Sequence, residues 1–292
     1  MRGKKVKLGI ALAGGGIKGI AHAGVLKALE ENNVKVDIIG GTSSGSLVAS
    51  LYAMGYSPYY IYTLFKKHSK ELVQINNGPI KSGIKNYMVS KKITLTGLKT
   101  GESMEKVFDK ISNSIGIKNI SDIKMPLVIP TVDLIDSKEY IFTNFIPMNS
   151  EYKEHYITDI SVGKAVRASS SFTAVFSPCE FKTHRFIDGG ILDNMPISEV
   201  RKQGADKVIG VKFGSDGIDD KSNITDYVMK TIDIMTNRII NTNINESDYI
   251  LNIYTEKTGL LDINKIDICY KNGYDIAINN MDKIKQIIKD SK

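Results

Sequence analysis

Predominantly apolar runs recur along the chain at 7–13, 36–42, 126–134, 207–213 and 249–254, each rich in Ile, Val or Leu. Apolar residues at both odd and even positions reach both faces of a strand, so these segments are predicted as strands covered on both sides. Between them, apolar positions at helical spacing predict helices at 19–31, 44–54, 58–68, 103–115, 157–168, 224–243 and 267–289. The last puts Tyr274, Ala277, Ile278, Met281, Ile284 and Ile288 on one stripe, read as a face that docks on the core. Strands alternating with helices predict an α/β fold of three layers, α/β/α, around a mostly parallel central sheet. At 292 residues and 42% hydrophobic, the chain can bury one large core, and 1–292 is read as a single domain.

Composition narrows the classes. Cys179 and Cys269 are too few for a disulfide framework, and the basic start "MRGKKVKLGIALAGGG" has a short apolar run broken by glycines. A cytoplasmic protein is therefore expected, with contact at the inner membrane face as an added expectation. No window approaches the roughly 20 apolar residues of a membrane-spanning helix. A formal charge of +7 favours an anionic partner without selecting one. Zinc-type Cys/His spacing, a base-reading helix and a Walker-type loop are all missing from the sequence, so neither a metal, a cofactor nor nucleic acid is expected. One segment, 72–101, has no acidic residue, and its Lys81, Lys85, Lys91, Lys92 and Lys99 interleave with Ile80, Ile84, Tyr87, Met88, Val89 and Ile93. It reads either as a solvated connection or as a flap over a site, able to lie on an anionic membrane surface.

The first strand runs into "GGGIKG", which satisfies the G-x-G-x-x-G template of a dinucleotide-binding loop. After the second strand comes "GTSSG", where Gly41 and Gly45 flank Ser43 in the G-x-S-x-G spacing of a nucleophile elbow. A serine hydroxyl needs a base and needs donors for the charge that develops on the carbonyl oxygen. The four histidines, His22, His68, His155 and His184, offer none in the late position of an α/β-hydrolase triad. A better base lies in "FIDGGILDNMP", where apolar residues lead into Asp188 at a strand end and Gly189 and Gly190 let backbone approach a substrate.

Taken in order, "GGGIKG", "GTSSG" and "DGGILDNMP", with "KAVRASSSFTAVFSP" and "GADKVIGVKFG" around the last, resemble the patatin-like phospholipase family over most of 7–214. The resemblance implies a serine acyl hydrolase cleaving carboxylic esters of lipids, of phospholipase A or lysophospholipase type, through a Ser-Asp dyad and an acyl-enzyme. It puts the nucleophile on Ser43, the base on Asp188 and the oxyanion loop on Gly14, Gly15 and Gly16. Lys18 falls on the family's usual basic position. Asn194 is a candidate for orienting the loop after Asp188. Thr173 departs from the pattern, since many relatives carry proline there, which leaves the shape of that loop open.

Two alternatives compete with this reading. A dinucleotide-binding domain needs an acidic residue about 20 positions beyond the glycine loop, at the far end of the second strand. Asp37 has nearly that offset but stands at the strand's beginning. The other alternative is a catalytically inactive lipid-binding scaffold on the same fold.

Overall fold

The computed structural model describes residues 5–73, 100–173, 175–214, 244–255, 258–259 and 261–290, with a few positions between 217 and 238. Nearly all of the acid-free segment, and most of the helix expected over 224–243, lie outside the described residues.

Every strand expected from the apolar runs forms: β1 (Leu8–Leu12), β2 (Ile38–Gly41), β3 (Leu127–Asp133), and two late strands at Lys207–Phe213 and Tyr249–Ile253. Four further strands stand between β3 and the late pair: β4 (Glu139–Thr143), β5 (Tyr156–Ile157), β6 (Cys179–Phe181) and β7 (His184–Asp188). The late strands are therefore β8 and β9. The sheet runs β5-β4-β3-β2-β1-β8-β9, with β7 also paired to β3 and β6 to β7. β1, β2, β3, β8 and β9 are mutually parallel neighbours, whereas β4 and β7 run antiparallel to β3.

Among the described residues, helices include α1 (Ala21–Glu31), α2 (Ser44–Ala53), α3 (Pro58–Val73), α4 (Glu102–Ser114), α5 (Val162–Ser169), α6 (Ile197–Lys202), α7 (Ile266–Asn279) and α8 (Met281–Lys289). Two expectations are corrected. The helix expected from 157 starts at Val162, because Tyr156 and Ile157 pair with β4 and the Ser161 hydroxyl caps α5 by accepting the Lys164 N–H. The single helix over 267–289 is two helices. Asn280 ends one and starts the next, its side chain bonded to the Ile276 carbonyl and the Tyr249 hydroxyl. Of the expected stripe, Ala277, Met281 and Ile284 are buried, while Ile278 is exposed.

β1 shows how the layers are built. Leu8, Ile10 and Leu12 enter the large core under α1 and its neighbours; Ala11 and Ala13 enter a smaller core against α6. Small residues on the second face let α6 sit close: a Cβ on Gly9 would come within 2.4 Å of the Val200 side chain. Each fully buried leucine or isoleucine of β1 contributes about 1.5–3 kcal/mol, so this alternation fixes which face meets which helix.

Candidate active site

β2 and β7 share one edge of β3 and approach each other end to end. β2 pairs with Leu127 and Val128, and β7 pairs with Thr131, Val132 and Asp133. Because one strand is parallel to β3 and the other antiparallel, their C-terminal ends converge on the stretch between. Pro130, with no N–H to pair, fits in that gap. The chain leaving β2 carries Ser43, and β7 ends in Asp188.

Ser43 occupies a sharp turn with φ of 53°, a left-handed conformation that costs a non-glycine residue roughly 1–3 kcal/mol. Packing around it holds the turn. A Cβ on Gly41 would lie 2.4 Å from the Gly45 backbone, and one on Gly45 would lie 2.3 Å from the Leu12 carbonyl oxygen. The Ser43 N–H donates to Ser169 Oγ at 3.0 Å, and the Thr42 hydroxyl donates to the Asp193 carbonyl at 2.8 Å. Ser43 lies at the head of α2, where the first-turn N–H groups lack helical acceptors and the helix dipole is positive.

Asp188 is buried, and burial pushes its carboxyl up to about 6, against the opposing pull of a hydrogen bond with Ser43 and the Gly190 N–H. That N–H donates to Asp188 Oδ1 at 2.8 Å across the short turn Gly189–Ile191. Gly189 passes so close to β3 that a Cβ there would sit 2.3 Å from the Pro130 carbonyl oxygen.

The glycine loop meets the same place. Gly14 donates to Asn194 Oδ1 at 3.1 Å, and a Cβ on Gly14 would press on both Asn194 Oδ1 and Ser43 Cβ. Gly15 donates to Ser44 Oγ at 3.0 Å and lies under the Phe213 ring, which packs in turn on His22. Those two N–H groups thus bond within the protein. Gly16, which begins the short turn Gly16–Ile20, lines the cavity next to Ser43.

The wall of that cavity includes Leu47, Phe65, Met104, Phe172, Phe176 and Leu261. Lys18 is not in the wall; its charge acts on the buried Cys269 thiol of α7. His22 is buried, held to about 4 by burial, and its Nε2 bonds the Ala13 carbonyl, so at neutral pH it is uncharged. His184 faces Asp133, 2.7 Å from its carboxylate. Among the described residues no cluster of His, Cys, Asp and Glu suited to a metal ion occurs.

The model of the family described as patatin-like phospholipase matches residues 10–201, a span that includes Ser43, Asp188 and the glycine loop. The chain belongs to the patatin-like phospholipase family. Among curated relatives, lysophospholipase NTE1 of Scheffersomyces stipitis is 34% identical over 208 residues, 71% of this chain and 12% of that protein. Lysophospholipase NTE1 of Candida albicans is 31% identical over 215 residues, 74% of this chain and 13% of that protein. The chain therefore spans only about an eighth of the length of these relatives. Human GIVD cytosolic phospholipase A2 shares the fold with a TM-score of 0.54 at 9% identity, over 98% of this chain and 60% of that one.

The dinucleotide alternative gives way to this family. Asp37 sits at the opposite end of β2 from the glycine loop, where its carboxylate accepts the Leu8 N–H and pairs with Lys35. Of the residues singled out from sequence, Ser43, Asp188, Gly14, Gly15, Gly16, Gly41, Gly45, Gly189, Gly190 and Asn194 converge, and Lys18 does not. Sequence reasoning missed Ser44, Ser169, Ser170 and Phe213. The only available signal was that they stand inside or beside the blocks already quoted.

Proposed function

We propose that this chain is a serine acyl hydrolase that cleaves carboxylic esters of lipids, of phospholipase A or lysophospholipase type. The observation that carries the reading is the convergence of Ser43 and the buried Asp188, close enough for the serine to bear on that carboxyl's acidity, beside an apolar cavity. An ordinary aspartate, at about 3.9, is a weak base at neutral pH; one near 6 accepts a proton more readily and is still ionised at pH 7.

Ser43 Oγ attacks the ester carbonyl carbon while its proton passes to Asp188. The carbonyl oxygen takes up negative charge and is met by N–H groups at Gly16 and Ser44, at the positive end of α2. Gly14 and Gly15, tied to Asn194 and Ser44 Oγ, hold the loop that presents Gly16. Collapse of the intermediate breaks the bond to the alcohol, which leaves with the proton from Asp188. Water, deprotonated by the same carboxylate, then attacks the acyl-serine; the bond to Ser43 Oγ breaks, the serine takes the proton back from Asp188, and the fatty acid is freed, its chain lying against Leu47, Phe65 and Met104.

Substrate extraction suggests a finer reading, of a cytoplasmic enzyme working peripherally at the inner membrane face. A long-chain ester has to leave an aggregate, and the five lysines of 72–101 supply charge for an anionic surface. No helix among the described residues is long and apolar enough to cross a membrane.

Fatty-acid release from a panel of phospholipid, lysophospholipid and simple esters, with wild type beside Ser43→Ala, tests the proposal. Release by wild type alone supports the enzyme; absence of release from every ester by folded protein favours the inactive scaffold.

A further inference from the structure

Three successive serines follow Ala168, and the fold gives each a different task. Ser169 Oγ accepts the N–H of Ser43, and the Ser171 hydroxyl donates to the Arg167 carbonyl at 2.9 Å. Ser170, between them, caps the end of α5 and lines the cavity together with Ser43. Only 6% of it is exposed, and its Oγ has no hydrogen-bond partner among the described residues. The other hydroxyls of the cavity wall, apart from Ser43 itself, are engaged: Ser69 donates to the Lys66 carbonyl, and Ser44 accepts from Gly15.

A buried hydroxyl without a partner is costly and rare in native proteins, so its partner is to be sought in what the cavity binds. An alkyl chain cannot provide one, since it has no polar atom. On the acyl-hydrolase reading, the developing oxyanion takes its donors from the backbone at Gly16 and Ser44. What remains is the alcohol half of the ester. A hydroxyl there both donates and accepts, as Ser170 does, whereas a second ester could only accept and would bring a further acyl chain to the spot.

Building on the acyl-hydrolase reading, we propose that Ser170 binds a free hydroxyl on the alcohol half of the substrate, next to the scissile ester. A site made to hydrogen-bond a substrate hydroxyl rejects the analogue lacking it, because its own polar group is then left unpaired.

The test compares a short-chain monoacyl glycerophosphocholine with the same ester lacking the free glycerol hydroxyl, both below their aggregation limits. Wild type is expected to prefer the hydroxyl-bearing ester by about tenfold in kcat/KM, the effect of one neutral hydrogen bond plus the cost of leaving Ser170 unpaired. Ser170→Ala should bring that ratio to within about twofold of unity, and Ser170→Thr, which keeps the hydroxyl, should retain most of it. The Tm of Ser170→Ala should equal or exceed that of wild type, since the unpaired group is gone. A ratio near one in wild type, or an unchanged ratio in Ser170→Ala, overturns the proposal. So does a loss shared equally by both esters, which would put the hydroxyl on the ester carbonyl. Release of fatty acid from neither ester by wild type would instead sink the acyl-hydrolase reading, and this proposal with it.

Discussion

At one end of β7, Asp188 bonds a serine; at the other, His184 bonds Asp133 across on β3. Both aspartates are buried, at 3% and 2% exposure, yet their acidities move in opposite directions. For Asp188 burial prevails and raises it to about 6. For Asp133 burial also pushes upward, but the N–H groups of Arg185 and Ile135 and the His184 ring outweigh it and hold the carboxyl below its ordinary range. Depth of burial and number of donors together separate a carboxylate that can take a proton from one fixed as an anion: Asp188 sits deeper and has fewer donors than Asp133. An aspartate beside a histidine is the arrangement a triad would suggest, and here it is the one that holds a β-hairpin in place.

The comparison breaks most decisively by mutation. Ser43→Ala and Asp188→Asn should each lower ester hydrolysis by about 10³-fold or more, while His184→Ala stays within a few-fold of wild type. A folded His184→Ala as inactive as Ser43→Ala would transfer the base to the wrong end of β7. Next in size is the glycine loop. Gly14→Ala places a methyl against Asn194 Oδ1 and Ser43 Cβ, and a displaced donor is expected to cost about 10²-fold in kcat with the far-UV spectrum unchanged.

Titration sharpens the contrast. If Asp188 acts as the base, kcat/KM should rise with pH through about 6 and level off above it. Stability should move the other way. A carboxyl whose folded pKa is raised binds its proton more tightly in the native state, so its contribution falls as pH climbs from the ordinary carboxylate value toward about 6. Asp188→Asn should accordingly raise Tm by a few degrees at pH 7, a gain that fades by about pH 4. Asp133, with its pKa depressed, stabilises the fold above the ordinary value and loses that contribution as pH falls through its folded pKa, so Asp133→Asn should lower Tm at pH 7.

The smallest effect is expected from the acid-free segment. Changing Lys81, Lys85, Lys91 and Lys92 together to Gln should weaken binding to anionic vesicles at low salt and make little difference at high salt, with each lysine near the surface worth at most about 1 kcal/mol. Hydrolysis of a soluble short-chain ester should be nearly unchanged. Equal vesicle binding by variant and wild type across a salt series would leave the segment a solvated connection.

What depends on neighbours along the chain was legible in the residues themselves. Apolar runs located β1, β2, β3, β8 and β9 because a strand covered on both faces must be apolar at consecutive positions. Glycines two residues to either side of Ser43 located the turn, because only they clear the backbone a tight strand-to-helix corner brings together. β4 and β6 escaped notice because short antiparallel strands draw their stability from the partner that completes them, and nothing in "EYIFT" or "CEF" names that partner. Tertiary structure alone decided the rest. The meeting of β2 and β7 along one edge of β3 joins residues 43 and 188, and the raised pKa of Asp188 follows from the burial that meeting imposes and the few donors it leaves to oppose it. In "SSS" three chemically identical hydroxyls stand in a row, and only the end of α5 gives one to the Ser43 backbone, one to its own helix and one to the cavity. Burial and hydrogen-bond partners are properties of the surroundings, and distant parts of the chain supply them.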